Sequence, residues 1–189
     1  MKKRKIWCSA LLTIGLLSMV CGVIYPLSMT VIAQILFPVQ ANGSQILIEK
    51  EGEEVAVGST LLAQDWRKPE YLIGRYDTGA PSNQSAVSKE QEALIQERVI
   101  WWHAFDPNTK NTAIPDELVT GSGSGVDPHI SVVAAVFQIE RIARVRGMSY
   151  DAVRKIIEDY TTTKTLGFLG EDRVNVLMVN LSLDGYKMK

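Results

Sequence analysis

Four basic residues, Lys2, Lys3, Arg4 and Lys5, lead into a run from Ile6 to Ile48 that holds no charged side chain. Within that run the 32 residues from Ile6 to Phe37 are almost wholly apolar. As an α-helix they extend about 48 Å at about 1.5 Å per residue, more than the ~30 Å hydrocarbon core of a bilayer but too little for two crossings. One transmembrane helix is therefore expected, with its excess length projecting past the bilayer. Pro26 lies toward the outer part and is expected to kink the helix, because its ring removes a backbone donor. Gly15, Ser18 and Gly22 offer a small surface for a neighbouring helix. A cleaved signal peptide starts with the same basic-then-apolar pattern, but its apolar stretch runs to about 7–15 residues, roughly half of what is present. Ser18-Met19-Val20-Cys21 lacks the small residues that precede a lipid-modified cysteine. We read residues 1–41 as a basic tip and an uncleaved anchor, and residues 42–189 as a separate body.

Charge sets the expected orientation. The basic cluster precedes the span and the next basic residue is Lys50, so the N-terminus is expected in the cytoplasm and the body outside, at the cell membrane. Setting aside the four tip residues leaves 16 of the 20 Lys+Arg to face all 21 Asp+Glu, so the net charge of -1 combines a +4 tip with a -5 body. Phosphate binding needs clustered Lys and Arg, so an acidic body excludes a nucleic-acid surface. Cys8 and Cys21 both fall in the uncharged run. The body is thus free of cysteine, which excludes a disulfide scaffold and any cysteine-ligated zinc site there.

The body reads as α+β, a small mixed sheet with helices on one face. Gln45–Glu49 and Glu53–Val57 flank Lys50-Glu51-Gly52 as a hairpin. Asp65-Trp66 is expected in a short helical turn, Tyr71–Tyr76 is β-rich, and 77–85 is loop. Ser88 with Gln91 fits a capping box ahead of a helix bearing Leu94, Ile95, Val99 and Trp102 on one stripe, a face expected to pack on a sheet. Of the pair Trp101-Trp102, one ring is expected inward and the other elsewhere. Leu118-Val119-Thr120 reads as a short strand entering the loop Gly121–Pro128. Val132, Val136, Ile139 and Ala143 then mark a helix with Arg141, Arg144 and Arg146 in its last turns and Gly147 as its stop. Ser149 caps a further helix to about Thr161, apolar at Val153, Ile156 and Ile157. Val174–Leu183 alternates as a long strand. Glu49, Glu51, Glu53 and Glu54 form a solvated acidic face.

Several strings hint at chemistry. Asp77-Thr78-Gly79-Ala80 matches an aspartic-protease string, but that reaction needs two carboxylates sharing a proton, and Arg75-Tyr76 replace the buried apolar lead-in. It also lacks the Lys of a transport-ATPase phosphorylation site. Asp127, His129 and Ser131 would face one side of a strand, yet alternate residues lie ~6.8 Å apart along it, too far to hydrogen bond as a triad. Ser131 serves better as a helix cap. His103 and His129, 26 positions apart, do not make a metal site. Gly121, Gly123 and Gly125 precede a helix and could turn amides toward a phosphate, but no Gly-Lys-Ser/Thr follows, and Asp127 would repel an anion. No catalytic residue and no metal ligand is assigned. A membrane-anchored extracytoplasmic hydrolase and a cation-sensing domain are the readings that these residues leave beside a binding role.

The string GSGSGVDPHIS from Gly121 to Ser131 resembles the signature of the C subunit of Kdp-type potassium-transporting ATPases. The likeness continues through Ala134–Ile139 and Arg141-Ile142-Ala143, and recurs at Leu118-Val119-Thr120, Pro81-Ser82-Asn83 and Asn175-Val176-Leu177. It spans essentially the whole chain. The chain departs from the family at Tyr76, which follows Gly74-Arg75 and shortens the next loop, and at Val132 and Glu140, where the family usually has Pro. The resemblance implies a noncatalytic subunit of a complex with a potassium-channel-like subunit, a P-type ATP-hydrolysing subunit and a small membrane peptide. It further implies a catalytic chaperone that stabilises assembly and raises the pump subunit's ATP affinity. ATP and potassium then belong to the complex, and this chain needs no cofactor of its own. Gly121, Gly123, Gly125 and Gln138 are the residues that the resemblance nominates for contact with nucleotide. ATP is cytoplasmic while the body is expected outside, so any effect on nucleotide is expected to be indirect.

Overall fold

The computed structural model describes residues 2–50, 52–76, 79–80, 83–85 and 87–186. The chain divides into two compact units, 1–45 and 46–189.

In the first unit, α1 (Lys2–Met19) runs through a π-helical turn, Val20–Ile24, into α2 (Tyr25–Leu36). The stretch Ile6–Leu36 is long and apolar enough to cross a membrane. The π turn sits immediately before Pro26, and the Tyr25 N–H reaches back five residues to the Val20 carbonyl. A widened turn thus accommodates the proline where a kink was expected. Ser28 and Thr30 turn their hydroxyls onto the carbonyls of Ile24 and Pro26, satisfying polar groups within the helix. A single turn, α3 (Pro38–Ala41), closes the unit, and the amides of Gln34 and Asn42 bond each other.

In the second unit, β1 (Gln45–Lys50) and β2 (Glu53–Ser59) lie side by side as the expected hairpin. Three short strands, β3 (His129–Ser131), β4 (Thr161–Thr162) and β5 (Arg173–Asn175), form an antiparallel sheet in the order β3-β5-β4, with Ile130 opposite Val174 and Thr161 opposite the same valine. The α+β class stands, and its described ladders are short and antiparallel. The helices are α4 (Lys89–Phe105), α5 (Val132–Val136), α6 (Ile139–Arg146), α7 (Tyr150–Asp159) and α8 (Val176–Leu183). Their starts follow the sequence: Ser88, Ser131 and Ser149 accept from the amides of Gln91, Ala134 and Ala152. Gly147 ends α6 at φ +65°, a left-handed position that glycine occupies without steric cost. The main core gathers Leu72, Trp102, Leu118, Ile139, Ile142 and Val174, and a smaller cluster joins Ile46, Leu177 and Leu181.

Six local expectations differ from the structure. The long strand over Val174–Leu183 is instead β5 followed by α8, started by Asn175, whose side chain accepts from the Met178 amide at 3.1 Å. Six of the eight α8 residues are buried, so the helix is apolar nearly all round and shows no 3.6-residue period to read. Leu118–Thr120 is not a strand, because Asp116–Leu118 forms a 3-10 turn that Thr120 closes with both its amide and its hydroxyl on the Asp116 carbonyl. Asp65-Trp66 makes no helical turn, since the Asp65 carboxylate accepts from the Arg67 amide at 3.2 Å and folds the chain itself. The helix expected from Val132 to Ala143 breaks at Phe137-Gln138, where the Gln138 amide bonds three residues back to Ala135. Tyr71–Tyr76 joins no sheet, for a reason that lies in the site. α4 directs Trp102 onto the Leu118 carbonyl (2.9 Å) and the Phe137 ring rather than onto a sheet, while Trp101 stacks on Phe105.

Candidate functional site

The segment Tyr71–Tyr76 has β-rich composition, yet over Pro69–Ile73 most of the backbone bonds go to side chains. Asn180, on α8, accepts from the Leu72 amide at 2.8 Å and donates to the Leu72 carbonyl at 2.9 Å. Gln138, at the start of α6, does the same to the next residue, accepting from Ile73 N and donating to Ile73 O, both at 2.9 Å. Arg141 donates to the carbonyls of Pro69 and Tyr71 and also to Gln138 Oε1 (2.6 Å). Arg146 donates to the Glu70 carbonyl at 2.6 Å and to the Leu183 carbonyl at 2.7 Å, and pairs with Asp184 at 2.8 Å. Two carboxamides and two guanidiniums replace the neighbouring strands, which is why composition alone suggested a ladder that is not there. Buried backbone groups must find partners, and here the partners come from helices far along the chain.

Three of the four clamps are deeply buried, Gln138 and Arg141 at 1% exposed and Asn180 at 0%, while Arg146 is half-buried. Burial pushes the Arg141 guanidinium down to about 10, which still leaves it charged at neutral pH, with buried Asp106 favouring the charge. Asp106 is paired at 2.9 Å with Arg144. Tyr71 is raised by its hydrogen bond to Asp184.

Past the clamps, Arg75 and Tyr76 meet the Gly-rich loop. Tyr76 N–H reaches the Thr120 carbonyl at 3.4 Å, and Arg75 reaches the Gly121 carbonyl at 3.5 Å and lies 4.0 Å from the Asp127 carboxylate. The Tyr76 ring lies beneath two guanidiniums, Arg67 at 4.3 Å and Arg98 at 4.1 Å from its centre. Inside the loop, Ser122 and Ser124 accept from the amides of Gly125 and Val126, and Asp127 accepts from the His129 amide. The Gly125 carbonyl takes the Gly79 N–H at 3.1 Å and the Val126 carbonyl takes Ala63 N–H at 2.9 Å. Gly125 holds φ +72°, and a Cβ there would run into the backbone of Ala80. Three segments, 62–67, 73–76 and 125–128, together with Val176 and Leu177, enclose a groove of about 550 Å³.

The four nominated residues therefore occupy different places. Gly125 lines the groove, Gly121 supports Arg75 through its carbonyl, and Gly123 has nothing within 4 Å of the position its missing Cβ would take. Gln138 lies behind the groove, with its amide engaged by Ile73, Ala134 and Arg141. Sequence reasoning missed Asn180, Arg141 and Arg146 as clamps; the available signal was Asn180 within the otherwise apolar run Val176–Leu181, while Arg141 and Arg146 sit in a charged helix that gives no such sign. Of the triad-like residues, the His129 ring lies 3.6 Å from Asp127, while Ser131 gives its hydroxyl to the α5 cap and its amide to Glu117. Burial lowers His129 below its ordinary value, opposed by Asp127. Asp77 and Thr78 of the protease-like string, Pro81 and Ser82 of the family-like string, and Glu51 of the acidic face lie outside the described residues.

A family model described as K+-transporting ATPase, c chain, matches residues 7–185. The potassium-transporting ATPase KdpC subunit of Listeria welshimeri is 48% identical over 188 residues, covering 97% of each chain. That of Listeria innocua has the same identity and coverage, and that of Clostridium perfringens is 44% identical over 197 residues, covering 96% of this chain and 98% of its own. Matched through anchor and body alike, the chain belongs to the KdpC family, the c chain of potassium-transporting ATPases.

Proposed function

We propose that this chain is a noncatalytic accessory subunit, anchored by one helix with its N-terminus in the cytoplasm and its α+β body outside. There it stabilises assembly of the pump with a potassium-channel-like subunit, a P-type ATP-hydrolysing subunit and a small membrane peptide. Any rise in the pump subunit's ATP affinity is indirect, carried through membrane helices or through gating at the external potassium entrance. The observation that carries this reading is the charge asymmetry about a single span, four basic residues before it and an acidic body after it. The clamp adds support, because the Gln138 amide serves the fold and has little left to offer a nucleotide. Gly121, Gly123 and Gly125 are then positions of loop shape and partner contact.

Deleting the chain from cells that depend on this pump is expected to abolish growth at limiting potassium, with growth restored by the wild-type chain supplied in trans. Normal high-affinity uptake without it would overturn the reading. Substitution at Gln138 is expected to disturb assembly before ATP affinity. Unchanged assembly and transport with weakened direct binding of nucleotide to this chain would contradict the indirect route.

A further inference from the structure

The membrane helix holds one backbone carbonyl that its own donors do not serve. In the π turn the Tyr25 N–H goes five residues back, to the Val20 carbonyl. The next carbonyl in that register, that of Cys21, would take the N–H of residue 26, and Pro26 brings none. The hydroxyls that follow the proline are spent elsewhere: Ser28 donates to the Ile24 carbonyl at 2.7 Å and Thr30 to the Pro26 carbonyl at 2.8 Å. Cys21 is also the middle residue of the apolar stretch Ile6–Leu36, with 15 residues on either side. At about 1.5 Å per residue it lies about 22 Å from each end, so wherever a ~30 Å hydrocarbon core falls along the stretch, this carbonyl is inside it. Hydrocarbon offers it no donor, and an unserved backbone group there costs several kcal/mol. Gly22, which shares the peptide group, has no side chain, and a Cβ placed on it would meet nothing within 4 Å, so a neighbour can come close.

We propose that the Cys21 carbonyl is a docking point within the membrane, taken by a hydroxyl or carboxamide donor on a transmembrane helix of a partner subunit of the potassium-transporting ATPase. The inference rests on the anchored-subunit reading and gives the anchor a specific contact. Neighbouring helices are one of the means by which membrane proteins serve the backbone groups that a proline sets free. Charged donors are costly at this depth, which leaves the neutral side chains of Ser, Thr, Asn and Gln. A second copy of this chain does not fit. Copies inserted the same way lie parallel, and a symmetric pair sets Cys21 opposite Cys21, acceptor against acceptor.

The chain has two cysteines, Cys8 and Cys21, so in Cys8→Ser a cysteine labelled with carbon-13 at its carbonyl marks Cys21 alone. Solid-state NMR of the full chain in bilayers then reads this one carbonyl. Its resonance is expected upfield, as for an unbonded carbonyl, in the chain by itself, and is expected to move downfield when unlabelled partner subunits assemble with it. Pro26→Ala restores the missing N–H within the helix. With that change the resonance is expected downfield from the start and unmoved by assembly, and retention in the detergent-washed complex is expected to fall about three- to fifteenfold, the loss of one hydrogen bond between membrane helices. A downfield resonance in the wild-type chain by itself would mean that water already serves the carbonyl, and the same shift on raising the density of this chain alone would give the position to a second copy. Either result, an unmoved resonance in an assembled complex, or wild-type retention of Pro26→Ala would overturn the docking point. If the wild-type chain is not retained with the other subunits at all, the accessory-subunit reading fails, and the docking point with it.

Discussion

Gln138 illustrates how one side chain can set a wall of the groove. Its carboxamide supplies the donor and the acceptor that Ile73 would otherwise find in a neighbouring strand. Gln138→Leu keeps the volume but strands both backbone groups, at about 1–3 kcal/mol each. We expect a loss of about 2–6 kcal/mol, seen as a thermal midpoint lower by about 4–24 °C for the full chain in detergent. A midpoint within a degree of wild type would contradict the clamp. His129 makes a prediction with a definite sign. Its folded value is depressed by burial below 6.5, so near and below pH 6.5 the unfolded chain takes up a proton that the folded chain resists. Stability is therefore expected to fall as the pH drops through about 6.5, and part of that slope should vanish in His129→Asn. Equal slopes in the two proteins would remove the assignment.

The elements divide by how local their causes are. Helix starts at Ser88, Ser131 and Ser149 and the stop at Gly147 were legible, because a cap joins residues a few positions apart and leaves its chemistry in the string. α8 was not, since its uniformly apolar face reads equally as strand or helix and only the Asn175 cap decides. Nor was the segment Pro69–Ile73, whose partners Gln138, Arg141, Arg146 and Asn180 stand 65 to 108 positions away from the residues they bond. The site was half legible in the same sense. The Gly-rich string was visible, but nothing in it tells Gly123 from Gly125. The structure does: Gly125→Ala forces a Cβ against the Ala80 backbone at φ +72°, whereas Gly123→Ala enters open space. Gly125→Ala is expected to destabilise by more than about 1 kcal/mol, and Gly123→Ala to leave the unfolding midpoint unchanged while reporting any partner contact of the loop through weakened assembly. Equal midpoints for the two variants, by thermal unfolding, would show that the loop relaxes freely.

For the whole molecule, a single apolar helix and an uneven division of charge tie family membership to a physical arrangement. The family names a subunit of a potassium-transporting ATPase; the charge division proposes the side of the membrane on which this body acts. That side decides whether the Gly-rich loop can meet cytoplasmic ATP or only the external faces of its partners. Fusing an epitope tag after Lys189 and treating intact cells or spheroplasts with protease reports it directly. Digestion of the tag in intact spheroplasts is expected, with the basic N-terminus protected until lysis. A tag that survives until the membrane is broken would put the body beside the nucleotide and contradict the indirect route.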